Sequence, residues 1–187
     1  MQRWRTSRTL VLAAGGLAGA VLVALAVAMS TGVGARGNTG QAAAPFAVAP
    51  AFTLPALAAD GTFSQPWTLS DVIDRPIFLY FWASWCEPCE REAPLIQRLW
   101  PEYEALGYQF VAIDVMDAEA DGLAFIRRHG LTFTQLRDDG QTYLAYGVSA
   151  VPEGFFLRPG LQTDRRYLGE LNEVTLRSML DALRRPS

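Results

Sequence analysis

Ile77-Phe78-Leu79-Tyr80-Phe81-Trp82-Ala83-Ser84-Trp85-Cys86-Glu87-Pro88-Cys89 is an unbroken apolar run that leads into a C-x-x-C pair. Six apolar residues from Ile77 to Trp82 suit a central strand buried on both faces. Downstream, Leu95, Leu99, Tyr103 and Leu106 recur at three- and four-residue steps, so a helix runs on to Gly107, its C-terminal stop. Pro94 inside that helix predicts a bend. The cysteines therefore fall where a buried strand hands over to a helix. Cys86 occupies the N-cap region and Cys89 lies one turn later, within reach of an S–S bond. Free N–H groups and a partial positive charge at the helix start stabilise a thiolate, the attacking species in exchange. That ordering makes Cys86 the nucleophile and Cys89 the resolving thiol. Two blander readings stand beside it: a structural disulfide of an exported protein, and two inert core thiols.

Composition removes other functions. The 187 residues are half apolar and contain two Cys and one His, too few for a four-ligand structural zinc site or a disulfide-stapled mini-domain. All 16 basic residues are arginine and they face 19 carboxylates, so there is no basic surplus for nucleic acid. His129, in Arg127-Arg128-His129-Gly130, reads as a helix-end cation rather than a catalyst. With no second His, neither a Cys-His hydrolase nor a His-ligated metal site can be assembled. The acidic run from Asp114 to Asp121 reads as a solvated loop and helix start, and Trp67, Trp82 and Trp100 as core or groove aromatics.

The first third of the chain has a different character. Arg3, Arg5, Arg8 and Arg36 are the only charged residues before Asp60, and the 20 residues Leu10 to Met29 are long enough to cross a bilayer as a helix. The expected organisation is a cytoplasmic N-terminus over 1–8, a transmembrane anchor or signal over 9–30, a flexible linker over 31–50 and a folded domain over 51–187. Ala26 and Ala28, or Ala47 and Ala49, offer A-x-A patterns to a signal peptidase, but the apolar stretch exceeds a usual cleavable signal, which favours a retained anchor. Gly15 and Gly19 match G-x-x-x-G cheaply in so small-residue-rich a span. Either way the domain is exported.

Beyond the quoted stretch, strand-like and helix-like segments alternate, the pattern of an α/β fold. A hairpin is expected from Phe52 to Leu57 and Phe63 to Leu69 about a turn at Asp60 and Gly61, then a helical turn capped by Ser70. A second buried strand covers Phe110 to Val115. A helix from about Ala118 to His129 closes at Gly130, and a short one lies near Gln141 to Tyr146. A hairpin from Gly154 to Leu168 precedes a helix capped by Asn172.

FLYFWASWCEPCEREAPLIQRL, FVAIDV and YGVSAVPEGFFL, in this order and spacing, resemble the thioredoxin-like superfamily. Within it the chain is similar to membrane-anchored, extracytoplasmic thiol-disulfide oxidoreductases of the TlpA/ResA/CcmG (DsbE) kind, over about residues 50–185. The resemblance implies a thioredoxin fold: a central mixed sheet flanked by helices, with an added N-terminal β-hairpin, preceded by one transmembrane helix. It also makes Cys86 the exposed nucleophile and Cys89 the buried resolver, flanked by Trp85 and shaped by Pro88. Pro152 matches a cis-proline facing the active site, and Val151 before it would pair with a substrate strand. Thioredoxin's buried Asp, six residues before the first cysteine, is replaced here by Tyr80. An acid three residues after the second cysteine is the family's alternative, and Glu92 stands there, expected to be desolvated and to take the proton of Cys89, with a solvated helix glutamate as the alternative reading. Glu87 should raise the Cys86 pKa and favour reduction. Glu153 either tunes pKa values or partners or is a solvated loop residue, and Gly154 departs from the family's usual Thr.

The function so implied is reduction of disulfides in exported proteins, with cytochrome c maturation as the process and apocytochrome c as substrate. It needs no cofactor beyond the Cys86–Cys89 pair, and a membrane thiol carrier of the CcdA or DsbD kind would recharge it. Alternatives are a TlpA-like reductase of copper-chaperone or oxidase cysteines and a Cu(I)-binding module of the same fold. A peroxiredoxin-like peroxidase would need Thr or Ser three residues before its cysteine and Pro seven before, where this chain has Ala83 and Leu79.

Overall fold

The computed structural model describes residues 40–57 and 63–184. Its spine is the strand anticipated at Ile77–Trp82, here β4, with all six residues buried. The preceding strands are β1 (Gly40–Ala42), β2 (Thr53–Leu57) and β3 (Phe63–Thr68). They are followed by β5 (Gln109–Asp114), β6 (Thr134–Arg137), β7 (Glu153–Arg158) and β8 (Gln162–Leu168). One mixed sheet joins them in the order β1-β8-β7-β4-β5-β6-β2-β3. β4 runs parallel to β5 and antiparallel to β7, so it has neighbours on both edges and its backbone groups are paired.

Side chains alternate across the sheet, and the core divides accordingly. Phe78, Tyr80 and Trp82 face one layer, and Ile77, Leu79 and Phe81 the other. The first layer is closed by α1 (Glu87–Ala105), α2 (Glu119–His129) and α4 (Glu173–Ala182), through Ile96, Leu99, Phe125, Leu176 and Leu180. The second is closed by Phe52, Leu69, Tyr146 and Val148, the last two at the end of the short α3 (Thr142–Ala145). Burying each large side chain contributes about 1.5–3 kcal/mol, which is why a run apolar at every position tolerates only this two-sided setting.

Several local expectations are met with their physical cause. Gly130 closes α2 at φ +58, a left-handed conformation that costs glycine little, and Asn172 caps α4 by accepting the Thr175 N–H at 2.9 Å. α1 accommodates Pro101 as well as Pro94. The turn before β4 is a 3-10 segment, Leu69–Val72, which starts after Thr68, so Ser70 sits inside it and does not cap it. β6 was not anticipated, because four residues of mixed polarity carry no period of their own.

The expectation of a flexible linker over 31–50 is corrected for its described part. Gly40–Ala42 pairs with β8, Val48 bridges to Gln162, and the Ala49 N–H donates to the Leu161 carbonyl at 2.9 Å. Phe46 stacks on Phe155 at 5.5 Å and meets Tyr146 edge-on at 5.0 Å. Composition hid this because a three-residue Gly-Gln-Ala strand adds to a sheet edge through its backbone, without a hydrophobic pattern. The anchor expected over 9–30 and the turn at Asp60-Gly61 lie outside the described residues. Among the described residues no helix is long and apolar enough to cross a membrane.

Candidate active site

β4 ends at Trp82, and the chain turns through Ala83, Ser84 and Trp85 with the Cys86 N–H donating back to the Ala83 carbonyl at 3.2 Å. Cys86 is the N-cap of α1, in extended conformation, and its Sγ accepts the Cys89 N–H at 3.2 Å. The two cysteines form a disulfide with Cα atoms 5.2 Å apart. Pro88 lies in the first helical turn, where a missing N–H breaks no hydrogen bond. The helix start and the Cys89 N–H would both stabilise negative charge on Cys86 once the bond opens. One expectation needs correcting: Cys86 is 3% exposed, scarcely more than Cys89 at 0%, and the open feature beside them is Trp85 at 60%. Packing of the turn encloses Cys86, and the indole stands open beside it.

Glu92 lies one turn beyond Cys89 on the same helical face and is 1% exposed. Desolvation pushes its pKa up to about 8, opposed by the Leu171 N–H and the Tyr80 hydroxyl. Tyr80 donates to Glu92 Oε2 over a long 3.4 Å, while Oε1 is buried without a hydrogen-bond partner. Burial, with the Glu92 charge second, raises the Tyr80 phenol well above its usual range. The solvated-helix alternative for Glu92 is thereby ruled out. The acid and the phenol that replaces thioredoxin's Asp form one buried pair behind the disulfide.

The Val151–Pro152 peptide bond is cis. Register places it at the active end of the sheet, since Glu153 pairs with Phe81 and β4 runs from there into the cysteine turn. The Pro152 carbonyl accepts the Gly169 N–H at 2.9 Å, and Val151 is half-buried ahead of the β7 ladder. Glu153 is not a solvated loop residue: it is 1% exposed and ion-paired to Arg166, which also donates to the Gly147 carbonyl at 2.9 Å. Burial raises its pKa and Arg166 opposes the rise. The departure at Gly154 has a packing reason, because a Cβ there would lie 2.9 Å from Phe78 Cε2.

Other groups reach the site from far along the chain. Arg91 donates to Glu87 at 2.8 Å and forks onto Glu170, 79 residues away, at 2.7 to 3.2 Å. Glu87 thus carries a guanidinium partner that spacing on α1 permits, while Glu170 left no local signal. Glu170 belongs to the same short loop that gives Gly169 to the cis-proline and Leu171 to Glu92. His129 ends α2 as expected, with Nε2 3.1 Å from a Glu90 carboxylate oxygen. Asp114 departs from the solvated reading of its run: it is fully buried, and Arg137 contacts its Oδ2 at 2.7 Å. Among the described residues no group of three or more His, Cys, Asp or Glu side chains is arranged to hold a metal ion.

Two sulfurs at a helix start, an adjacent buried acid and a cis-proline at the same sheet end define a protein of the thioredoxin-like class. The chain belongs to the AhpC/TSA family, which matches residues 46–163. It is similar to the thiol-disulfide oxidoreductase ResA of Bacillus thuringiensis (strain Al Hakam), 31% identical over 113 residues, 60% of this chain. The ResA of Bacillus subtilis (strain 168) is 28% identical over 117 residues, 62% of this chain. The chain spans 65% of the length of each of these two relatives. Among solved structures it is similar to a thiol:disulfide interchange protein DsbE from Chlorobium tepidum, 28% identical with a TM-score of 0.65, covering 78% of this chain and 97% of that one. A secreted Mycobacterium tuberculosis disulfide oxidoreductase, homologous to DsbE of E. coli, is 25% identical with a TM-score of 0.61, over 70% of this chain and 95% of that one.

Proposed function

We propose that the protein is a thiol-disulfide oxidoreductase working as a reductase of disulfides in exported proteins, in cytochrome c maturation, with apocytochrome c as substrate. The observation that carries the chemistry is the Cys86–Cys89 disulfide capping α1 with buried Glu92 one turn behind it. The names of the ResA and DsbE relatives support the thiol-disulfide chemistry. In the reduced enzyme the Cys86 thiolate attacks a substrate disulfide, forming a mixed disulfide and releasing one substrate thiolate. Cys89 then attacks Sγ of Cys86, the second substrate sulfur leaves, and two electrons have passed to the substrate. Glu92 takes the Cys89 proton as the enzyme disulfide forms. Burial pushes the Glu92 pKa up to about 8, which makes its carboxylate a better proton acceptor for a thiol than an ordinary solvated one. Neutral Glu92 beside a closed disulfide is the state this step leaves behind. Val151 and Pro152 supply the shelf for the substrate strand, by β-strand addition.

The uncharged stretch from Leu10 to Met29 holds the enzyme in the cell membrane as a single-pass anchor, N-terminus inside and domain outside. A transmembrane thiol carrier of the CcdA or DsbD kind returns electrons to it. Peroxide reduction, which the AhpC/TSA family name brings to mind, is disfavoured because Leu79 and Ala83 are buried and apolar where a peroxidase places Pro and Thr or Ser. The test is the reduction potential of the full-length protein from pH 5 to 9, with Glu92→Gln alongside. A potential near or below about -270 mV, with a pH profile altered by the substitution, supports a dedicated reductase; one near about -120 mV defines an oxidant and ends the cytochrome assignment.

A further inference from the structure

The turn that presents Cys86 is gripped from the β5–α2 loop, 33 residues away in sequence. Asp117 Oδ2 accepts the Ser84 N–H, and Oδ1 accepts both the Ser84 hydroxyl at 2.9 Å and the Ala118 N–H at 2.8 Å. Both oxygens of one carboxylate thus hold one residue and the start of α2, and the same carboxylate faces buried Asp114. Next to it the Met116 carbonyl accepts the Trp85 indole N–H at 3.1 Å. Met116 adopts φ +52, a left-handed conformation that non-glycine residues seldom take, and it is 51% exposed, so burial does not compensate for it. The grip is itself supported. Arg137 donates to the Asp117 carbonyl and pairs with buried Asp114 at 2.7 Å. Gly122 of α2 leaves room for Asp114, since a Cβ there would overlap Oδ2.

We propose that Asp117 is a positioning residue of the redox centre: with the Met116 carbonyl it fixes Ser84 and the exposed Trp85 ring, and so sets the approach of a protein disulfide to Cys86. The proposal rests on the thiol-disulfide reading above and adds a residue outside the cysteine motif to it. An indole that is 60% exposed has several rotamers open to it, and one hydrogen bond selects among them. Exchange requires three sulfurs in line, and misplacement by about 1 Å costs on the order of 100-fold in rate. A macromolecular disulfide meets that constraint only if the surface around Cys86 is fixed, whereas a small disulfide approaches in many orientations.

The test uses the full-length protein, reduced, with insulin as the protein disulfide and 5,5'-dithiobis(2-nitrobenzoate) as the small one. Asp117→Ala, Asp117→Asn, Ser84→Ala and Ser84→Thr are compared with the parent. Rates, thermal midpoints and the pH profile of Cys86 alkylation by iodoacetamide are recorded. Asp117→Ala should slow insulin reduction about tenfold, the equivalent of one charge-assisted hydrogen bond, while changing the small-disulfide rate less than about twofold. It should also displace the alkylation profile, and Ser84→Thr, which keeps the hydroxyl, should retain the parent rate. Unchanged rates and profile in a folded Asp117→Ala protein overturn the proposal. So does an equal loss on both substrates that tracks a lowered thermal midpoint. Should Asp117→Ala not fold, Ser84→Ala removes a single O–H bond and must show the same selective loss, or the proposal fails. A parent that reduces neither substrate sinks the enzymatic reading, and the alkylation profile then decides for Asp117 by itself.

Discussion

Glu92 is where a single residue changes what the molecule does with pH. Its carboxyl titrates near 4.5 in the unfolded chain and near 8 in the oxidised fold, where desolvation favours the neutral form. Between those values the folded state holds a proton that the unfolded state has lost, so stability falls as pH rises from about 4.5 to about 8 and is flat above. Glu92→Gln removes that loss. The oxidised variant should exceed the parent by up to about 4 kcal/mol at pH 9 relative to pH 5 in urea unfolding. Equal pH dependence in the two proteins would show that Glu92 is ionised. Asp114, pushed up to about 7 by burial, acts with the same sign in both and cancels from the comparison. At the cysteines, Cys89→Ser should accumulate a mixed disulfide between Cys86 and substrate, visible as an adduct by mass spectrometry, and Cys86→Ser should form none.

Among the elements, β7 and α1 carry the departures from what a family resemblance leads one to expect. Gly154 stands opposite Tyr80 in the β4–β7 ladder, and the space its missing side chain leaves is taken by the Phe78 ring. Gly154→Thr should therefore destabilise by about 1–3 kcal/mol, the usual cost of overpacking, and Phe78→Leu in the same chain should recover much of it. Additive losses in the double variant, measured by urea unfolding, would mean the two positions are not a matched pair. On α1, Arg91 joins Glu87 of the motif to Glu170 of the loop that also holds the cis-proline carbonyl and covers Glu92. Arg91→Gln leaves Glu87 without a counter-charge beside the dithiol. The midpoint of Cys86 alkylation should then move to higher pH, and an unmoved midpoint would assign Arg91 to the surface alone.

For the whole molecule, the domain begins earlier than its composition suggests. A chain starting at residue 39 keeps β1, the Phe46 rings and the Ala49 bond, and one starting at 51 loses them all. The shorter chain should be less stable by about 2–4 kcal/mol, mostly from Phe46, whose burial and aromatic contacts face Tyr146 and Phe155. Equal stability in urea would return residues 40–50 to the role of a tether.

The amino-acid order alone determined the elements whose pattern is local. β4 is apolar at every position, α1 repeats at helical spacing, Gly130 and Asn172 mark helix ends, and Cys86 and Cys89 stand at a strand-to-helix junction. Each of these is a statement about neighbours within a few residues, which backbone periodicity and capping chemistry enforce. The cis-proline and the acid at Glu92 were legible through resemblance, but their environments were not. Burial of Glu92 against Tyr80, of Glu153 against Arg166 and of Asp114 against Arg137 was decided only by the tertiary structure. The same holds for Asp117 on Ser84 and Glu170 on Arg91. A charged residue looks equally soluble on paper wherever it stands; its desolvation and its partner are fixed by segments 12 to 79 residues away, which only the packed sheet and its helices bring together.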